Sequence, residues 1–349
     1  MEHLLVYLTE PLTGAQSQAL DALLRKRCAP GKPALARLAA GRRQGVSFGR
    51  YQQIPSLLRD SANVQRRMSG GRLLPAGPGV LELSVAAPAL EDLTVAHEPI
   101  AAGQLLNRSV RGLLRGLESL GLQVVYPGRE LITLARRALA HVAFDIGEAG
   151  RPLIQFHLAL SSSLSEAASG LALLGGDAEG RADLLDGEAC TSLEEALGEA
   201  PEMELLAEAL ARGFAQHVGA AVAIKELPGD LRRESESLAV ETFSKESWLA
   251  ERSPTSDMAC ASRIESQLGS FQVSLARGDD ERIGEIRLSG EFIAGWPAVE
   301  ALERELRGCP VKRDEIARVV DKVLNTPPNI VLGLGPRRTI TDAILKALA

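Results

Sequence analysis

The chain has 349 residues, of which 45% are apolar, 24% charged and 3% aromatic, and a net charge of −6. This length exceeds the usual size of one core and predicts two domains, and the acidic balance argues against bulk nucleic acid or an anionic membrane as the main partner. No apolar run approaches the ~20 residues of a membrane helix, and the start, MEHLLVYLTE, has an early acid and no long apolar stretch, so no secretory signal is expected. Cys28, Cys190, Cys260 and Cys309 stand alone, without a CxxC or Cys/His cluster. Neither a zinc site nor a disulfide framework is indicated, and a cytoplasmic protein with reduced thiols is the simplest expectation. Only seven of the 39 basic residues are lysines, and none lies between residues 33 and 224. Chemistry that needs a compact ammonium must do without one there.

Leu4–Leu8 reads as a strand, and Ala15–Arg27 as an amphipathic helix broken by Pro30, Gly31 and Pro33. Gln44–Arg50 is a short strand and Ile54–Asp60 a short helix. In Val64–Val85 the basic pair Arg66-Arg67 runs into Ser69-Gly70-Gly71, then a turn with Pro75, Gly77, Pro78 and Gly79, then a strand, Val80–Val85. Glu98–Leu120 is the longest helical pattern of the first half, with Ile100, Leu105, Leu106, Val110, Leu113 and Leu117 largely on one face and Gly121 as its stop. Leu122–Tyr126, Leu131–Leu134, Ala140–Ile146 and Leu153–Leu160 are strands with short separators, which predicts antiparallel pairing. Ser163–Leu174 is helical. An acidic, glycine-broken stretch follows, with a short helix at Ser192–Leu197, and then a strong helix over Glu202–Val218. Lys225–Arg233 reads as a linker, dividing the chain into residues 1–228 and 229–349. Beyond it come Leu238–Glu251, a polar segment through Arg263, and a hairpin of Phe271–Ala276 and Arg282–Ser289. Helices over Ala298–Arg307, Val311–Leu324 and Thr339–Leu348 complete the chain; Gly333–Arg338 reads as a turn, because it lacks the glycine spacing of a phosphate loop.

The stretch from Arg66 to Arg72 has two readings. Adjacent glycines let a backbone approach a ligand, successive N–H groups can hold an anion, and arginines beside them can bind phosphate or carboxylate. The same residues also make an ordinary glycine turn before a strand.

In order along the chain, these motifs resemble the lipoate–protein ligase A family. Phe48–Ser56 (FGRYQQIPS) is similar to its GR-x-Q-N-P-W segment, and Arg66, Arg67, Ser69, Gly70 and Gly71 match its R-R-x-S-G-G-G. Gly128–Ile132 (GRELI) is similar to G-R-N-D-L, Leu158–Ser163 to the L-L-L-N-x-D strand end, and Leu306–Ile316 to part of the small accessory domain. The resemblance implies an α+β fold: a mixed, largely antiparallel β-sheet flanked by helices, with a small α+β C-terminal accessory domain. It implies a ligase that activates lipoate or octanoate with ATP and Mg²⁺ to an acyl-adenylate, or a transferase without that step. The acceptor would be a lysine of a lipoyl carrier domain or a glycine cleavage H-like protein, and acyl carrier protein or an active paralogue are further possible partners. Arg66, Arg67, Ser69, Gly70, Gly71 and Arg72 would then line the ligand, with no bound metal cluster, no nucleic acid and no membrane.

The chain also departs from that pattern. The family's essential lysine follows G-R-N-D-L, but the matching segment, Ala135–Ala143, has none; Arg137 or Ala138 holds its place. Arg137 is thus a candidate catalytic substitute, although a planar guanidinium is not an ammonium point charge. Arg72 replaces a third glycine, and Phe156 is expected to intrude where a glycine lets the ligand pass. None of the four cysteines matches a transferase nucleophile. His141 and His157 lie on strands of the site sheet and suit a general base by type, though an ordinary strand histidine is the more common case. The sequence therefore supports either a lipoate ligase or transferase, or a non-catalytic relative that kept the fold and a binding surface. The G-R-G-R-x-G of biotin ligases is missing.

Overall fold

The computed structural model describes residues 3–94, 102–179, 181 and 183–349. His97, Ile100 and the start of the helix expected over Glu98–Leu120 lie outside the described residues; within them the helix runs Leu105–Glu118. No described helix is long and apolar enough to cross a membrane.

An eight-stranded sheet organises the first unit. Its order is Ala221–Glu226, His3–Leu8, Ala34–Ala40, Val80–Ala86, Pro152–Ala159, Arg137–Ile146, Leu131–Leu134 and Val124–Val125. His3–Leu8 pairs in parallel with both of its neighbours, and the remaining pairs are antiparallel. This is the mixed, largely antiparallel sheet that was expected. One face carries Leu81, Leu83, Val85, Val142, Phe144, Ile154, Phe156 and Leu158 in a core shared with helices Leu105–Glu118 and Met203–Val218. The other face receives helix Gly14–Arg27, whose first turn is closed by a capping box from Thr13 and Gln16.

The second unit has an antiparallel sheet of Cys260–Glu265, Ser270–Arg277 and Ile283–Gly290. Helices Trp296–Leu306, Arg313–Leu324 and Arg338–Leu348 pack on it through Val299, Leu302, Ile316, Val320, Ile340 and Ile344. The hairpin and all three helices follow the sequence pattern.

Four expectations need correction. Ala34–Ala40, a central strand, was not anticipated; it is short, alanine-rich and interrupted by Arg37. Cys260–Glu265 is a strand where a polar segment was expected, because as an edge strand it buries only part of one face. Arg137–Ile146 starts earlier than expected, since Ala135 and Arg136 turn the hairpin with φ of 49° and 67°. Lys225–Arg233 is not a linker. Lys225 and Glu226 end the parallel edge strand, and Gly229–Leu238 is a helix packed on Gly14–Arg27. Leu227, Leu231, Ala239 and Phe243 join Leu20 and Leu24 in one buried cluster. A division at residue 228 therefore cuts through packing that belongs to the first unit.

Candidate functional site

Side chains alternate across a strand, and here the two sheet faces differ sharply in polarity. Opposite the apolar core, Arg37, Glu82, Ser84, His141, Gln155 and His157 lie side by side, all nearly inaccessible. Arg37 Nε donates to Asp21 Oδ1 at 2.6 Å, its Nη2 to Asp21 Oδ2 at 2.9 Å, and the same Nη2 to Glu82 Oε2 at 3.1 Å. Asp21 also accepts from Ser84 Oγ at 2.9 Å and Gln155 Nε2 at 2.6 Å. Glu82 accepts from Gln65 Nε2 at 3.2 Å and from Ser17. Burial alone would raise the Glu82 carboxyl, but Arg37, helped by His157, Ser17 and Gln65, outweighs it and holds the group at about 2. The network gathers two acids around one arginine, sealed inside the protein.

The loop Val64–Leu74 lies across this face and is buried along its whole length. Arg66 donates to the carbonyls of Arg50 at 2.6 Å, Gln52 at 2.8 Å, Trp248 at 3.0 Å and Leu249 at 2.6 Å. Arg67 donates to the carbonyls of Ser47, Gly70 and Arg72. Burial lowers both guanidinium groups to about 9, so both are still cationic at neutral pH. Arg72 pairs with Glu130 and donates to the Asp183 carbonyl at 3.1 Å. The loop amides are engaged as well: Arg67 with the Phe48 carbonyl, Met68 with Gln18, Ser69 with Gln155, Gly71 with the Phe292 carbonyl and Leu73 with Asp183. Glycine is required where the second unit presses on the loop. A Cβ at Gly70 would lie 2.0 Å from Phe292 O, and Gly71, at φ +95°, has His141 Nε2 2.7 Å from where its Cβ would be.

Arg66, Arg67, Ser69, Gly70, Gly71 and Arg72 are thus gathered in one buried loop. Arg137 is placed apart from them: its side chain is 37% exposed and both its hydrogen bonds go to Glu195. Phe156 does not enter the space under the loop, correcting the expectation. Strand alternation turns it to the opposite face, edge-on to Phe214 at 5.6 Å, and brings Gln155 and His157 to the loop instead. His141 and His157, with ring centroids 6.0 Å apart, bond no described protein atom through any ring nitrogen. Burial, reinforced by Arg67, depresses both, His157 to about 3, so both are neutral. Ser69 Oγ is similarly without a partner. Cys190 is buried beside Ala138, and burial raises its thiol above the usual range. Among the described residues no group of three or more His, Cys, Asp or Glu side chains is placed to hold a metal ion by itself. Asp21, Arg37, Glu82 and Gln155 were missed in the sequence, yet for the last three a signal was present: ALARLAA carries one polar residue inside an apolar strand, and VLELSVA and PLIQFHLA carry two at alternate positions.

No protein-family model matches the sequence, and neither does any curated protein. Solved structures do match in shape. LipL1 of P. falciparum, in complex with lipoate, aligns over 98% of this chain and 99% of its own with a TM-score of 0.70 at 12% identity. A bipartite lipoate protein ligase described with its E2 lipoyl domain, from Thermoplasma acidophilum, aligns over 72% and 96% with a TM-score of 0.55 at 15% identity. A lipoate-protein ligase A bound with ATP aligns over 72% and 99% with a TM-score of 0.51 at 16% identity. The chain has the fold of the lipoate–protein ligases.

Proposed function

We propose that this protein is a non-catalytic member of the lipoate ligase fold, which forms no acyl-adenylate at its loop and acts by binding a lipoyl carrier domain. One observation carries the reading: the groups that could hold an adenylate are committed to the protein itself. Arg66 and Arg67 are spent on backbone carbonyls, Arg72 on Glu130, and five loop amides on internal acceptors. The face beneath the loop points the same way. A medium-chain acyl group needs apolar walls, whereas here it would meet Arg37, Asp21, Glu82 and two histidines. The candidate lysine substitute, Arg137, is engaged with Glu195. The T. acidophilum ligase described with its E2 lipoyl domain supports a carrier domain as the macromolecular partner.

A working ligase or transferase is the second reading. It is favoured by the similarity over both units to a structure holding lipoate, and by the narrowness of the contact that closes the loop, Gly70 and Gly71 against Phe292. One experiment separates the two. The full chain is incubated with ATP, Mg²⁺ and lipoate or octanoate, and acyl-AMP and pyrophosphate are measured, with calorimetric titration of a lipoyl domain alongside. The expected result is no acyl-AMP and saturable carrier binding. Acyl-AMP formation, or transfer of an octanoyl group from acyl carrier protein, overturns the proposal, and so does an absence of carrier binding.

A further inference from the structure

The chain has only two tryptophans, and both line one cleft of about 390 Å³ on the seam between the two units. Trp248 lies in the connecting helix Glu246–Leu249, and Trp296 opens the first helix after the second unit's sheet. Arg50 lies between them, its Cζ 4.0 Å from the Trp248 ring centroid and 4.2 Å from that of Trp296. Arg50 is nearly inaccessible and donates to Glu251 at 2.9 Å, while its Nε has no partner. Phe243, edge-on to Trp248 at 4.7 Å, and Met68 extend the apolar wall. In a protein with 3% aromatic residues this is a concentrated apolar lining.

The opposite wall is charged. Arg25 pairs with Asp145, whose other oxygen accepts the Trp296 amide at 2.8 Å. Gly147 leaves room for that pair, because a Cβ there would lie 2.7 Å from Arg25 Cζ. With Arg25 paired to Asp145 and Arg50 to Glu251, the remaining charges of the lining are Lys26 and Arg151 against Glu148. Arg151 donates to the Lys26 carbonyl at 3.2 Å, which places its guanidinium against the Lys26 backbone, and Lys26 itself is exposed. The volume falls within the ~300–1,000 Å³ of small-molecule sites, which favour domain seams and combine apolar walls with a few convergent polar groups.

We propose that this cleft binds a small amphipathic anion, with its apolar body against Trp248, Trp296, Phe243 and Met68 and its carboxylate or phosphate on Lys26 and Arg151. The cleft borders the loop over the polar sheet face through Met68, but Arg66, Arg67, Ser69, Gly70, Gly71 and Arg72 are not in its lining, and the proposal is indifferent to whether that loop forms an adenylate.

Both tryptophans report on the cleft, so the full chain is titrated with octyl phosphate and with octanoate, following tryptophan fluorescence and calorimetric heat. Inorganic phosphate and octanol serve as headgroup-only and tail-only probes. A saturable fluorescence change is expected with at least one of the two amphipathic anions, and the tighter of them identifies the headgroup. Each single-feature probe is expected to bind at least about tenfold more weakly, since neither fills both walls. The double variant Lys26→Ala/Arg151→Gln is expected to lose about tenfold in affinity with an unchanged unfolding midpoint, because the charge-assisted contacts go while the fold does not depend on them. No saturable change, heat without a fluorescence response, equal binding of inorganic phosphate or octanol, or unaltered affinity in the double variant overturns the proposal.

Discussion

Arg37 is the residue on which the polar face depends. It is fully buried, and among the described residues it is the one guanidinium bonded to both Asp21 and Glu82. Removing one partner of a buried ionic group leaves uncompensated charge and costs about 3–5 kcal/mol. Arg37→Met is therefore expected to destabilise the protein by that amount in denaturant unfolding; a loss below about 1 kcal/mol would mean that the acids find other partners or take up protons. The histidines predict a pH response. His157, depressed to about 3, and His141, also depressed, bind protons more weakly folded than unfolded, where a histidine titrates near about 6.5. Their contribution is fully present above about 6.5 and is lost as pH falls toward the folded values, by up to about 1.4 kcal/mol per pH unit for each ring. Glu82, held at about 2, acts in the same sense below about 4.3, whereas Glu291 and Glu303, raised by burial, act in the opposite one. Stability measured from pH 6.5 to 4.5 should fall less steeply in His157→Gln than in the parent chain; parallel curves would remove His157 from this account. Glu82 and His157 were legible as members of i, i+2 polar pairs in apolar strands, and Arg37 as a lone polar residue in one. Their partner Asp21 was not, because it comes from a helix face that the pattern leaves ambiguous.

The loop over the sheet is an element defined by close approach. Gly70 meets the Phe292 carbonyl and Gly71 meets the His141 ring, so a methyl at either position pushes on backbone or on a buried side chain. Gly70→Ala is expected to cost about 1–3 kcal/mol, the usual penalty for overpacking. It should also loosen the second unit from the loop, read as faster limited proteolysis near Arg252–Met258; unchanged proteolysis and stability would show that the contact yields without cost. The motif itself was legible in sequence, but its chemistry was not. Two arginines and two glycines read equally well as an anion site or as a self-satisfied turn, and local spacing does not record the surrounding carbonyls that accept from Arg66 and Arg67. The same limit applied to Phe156, whose placement turned on strand parity rather than on residue type.

At the scale of the whole molecule, the loop and the seam are coupled. Arg66 reaches carbonyls on both sides of the chain's midpoint, at Arg50 and Gln52 and at Trp248 and Leu249. Gln52 Nε2 donates to Asp183 Oδ2 at 2.7 Å and to Glu291 Oε1 at 2.9 Å, joining the first unit to the second. A lysine at position 66 keeps the charge but not the planar fork. Arg66→Lys is therefore expected to cost about 2–3 kcal/mol, since hydrogen bonds to charged groups contribute about 1.5–3 kcal/mol each and a lysine can replace only some of them. It should also shift tryptophan fluorescence, because Trp248 Nε1 donates back to the Arg66 carbonyl. An unshifted spectrum with full stability would show that the connecting helix is held by other contacts.

By itself the sequence determined the periodic elements, the antiparallel strands of the first unit's second half, the hairpin and three helices of the second, and the place of the Arg66–Arg72 loop. Each of these follows from local pattern, because side-chain spacing and turn chemistry act over a few residues. The tertiary structure decided the rest. It added Ala221–Glu226 to the sheet edge, engaged Arg66 and Arg67 with backbone carbonyls, set a buried ion network under the loop and brought two distant tryptophans to one cleft. Those outcomes depend on which groups meet across long stretches of chain, and on the cost of burying a charge without a partner, neither of which local spacing records.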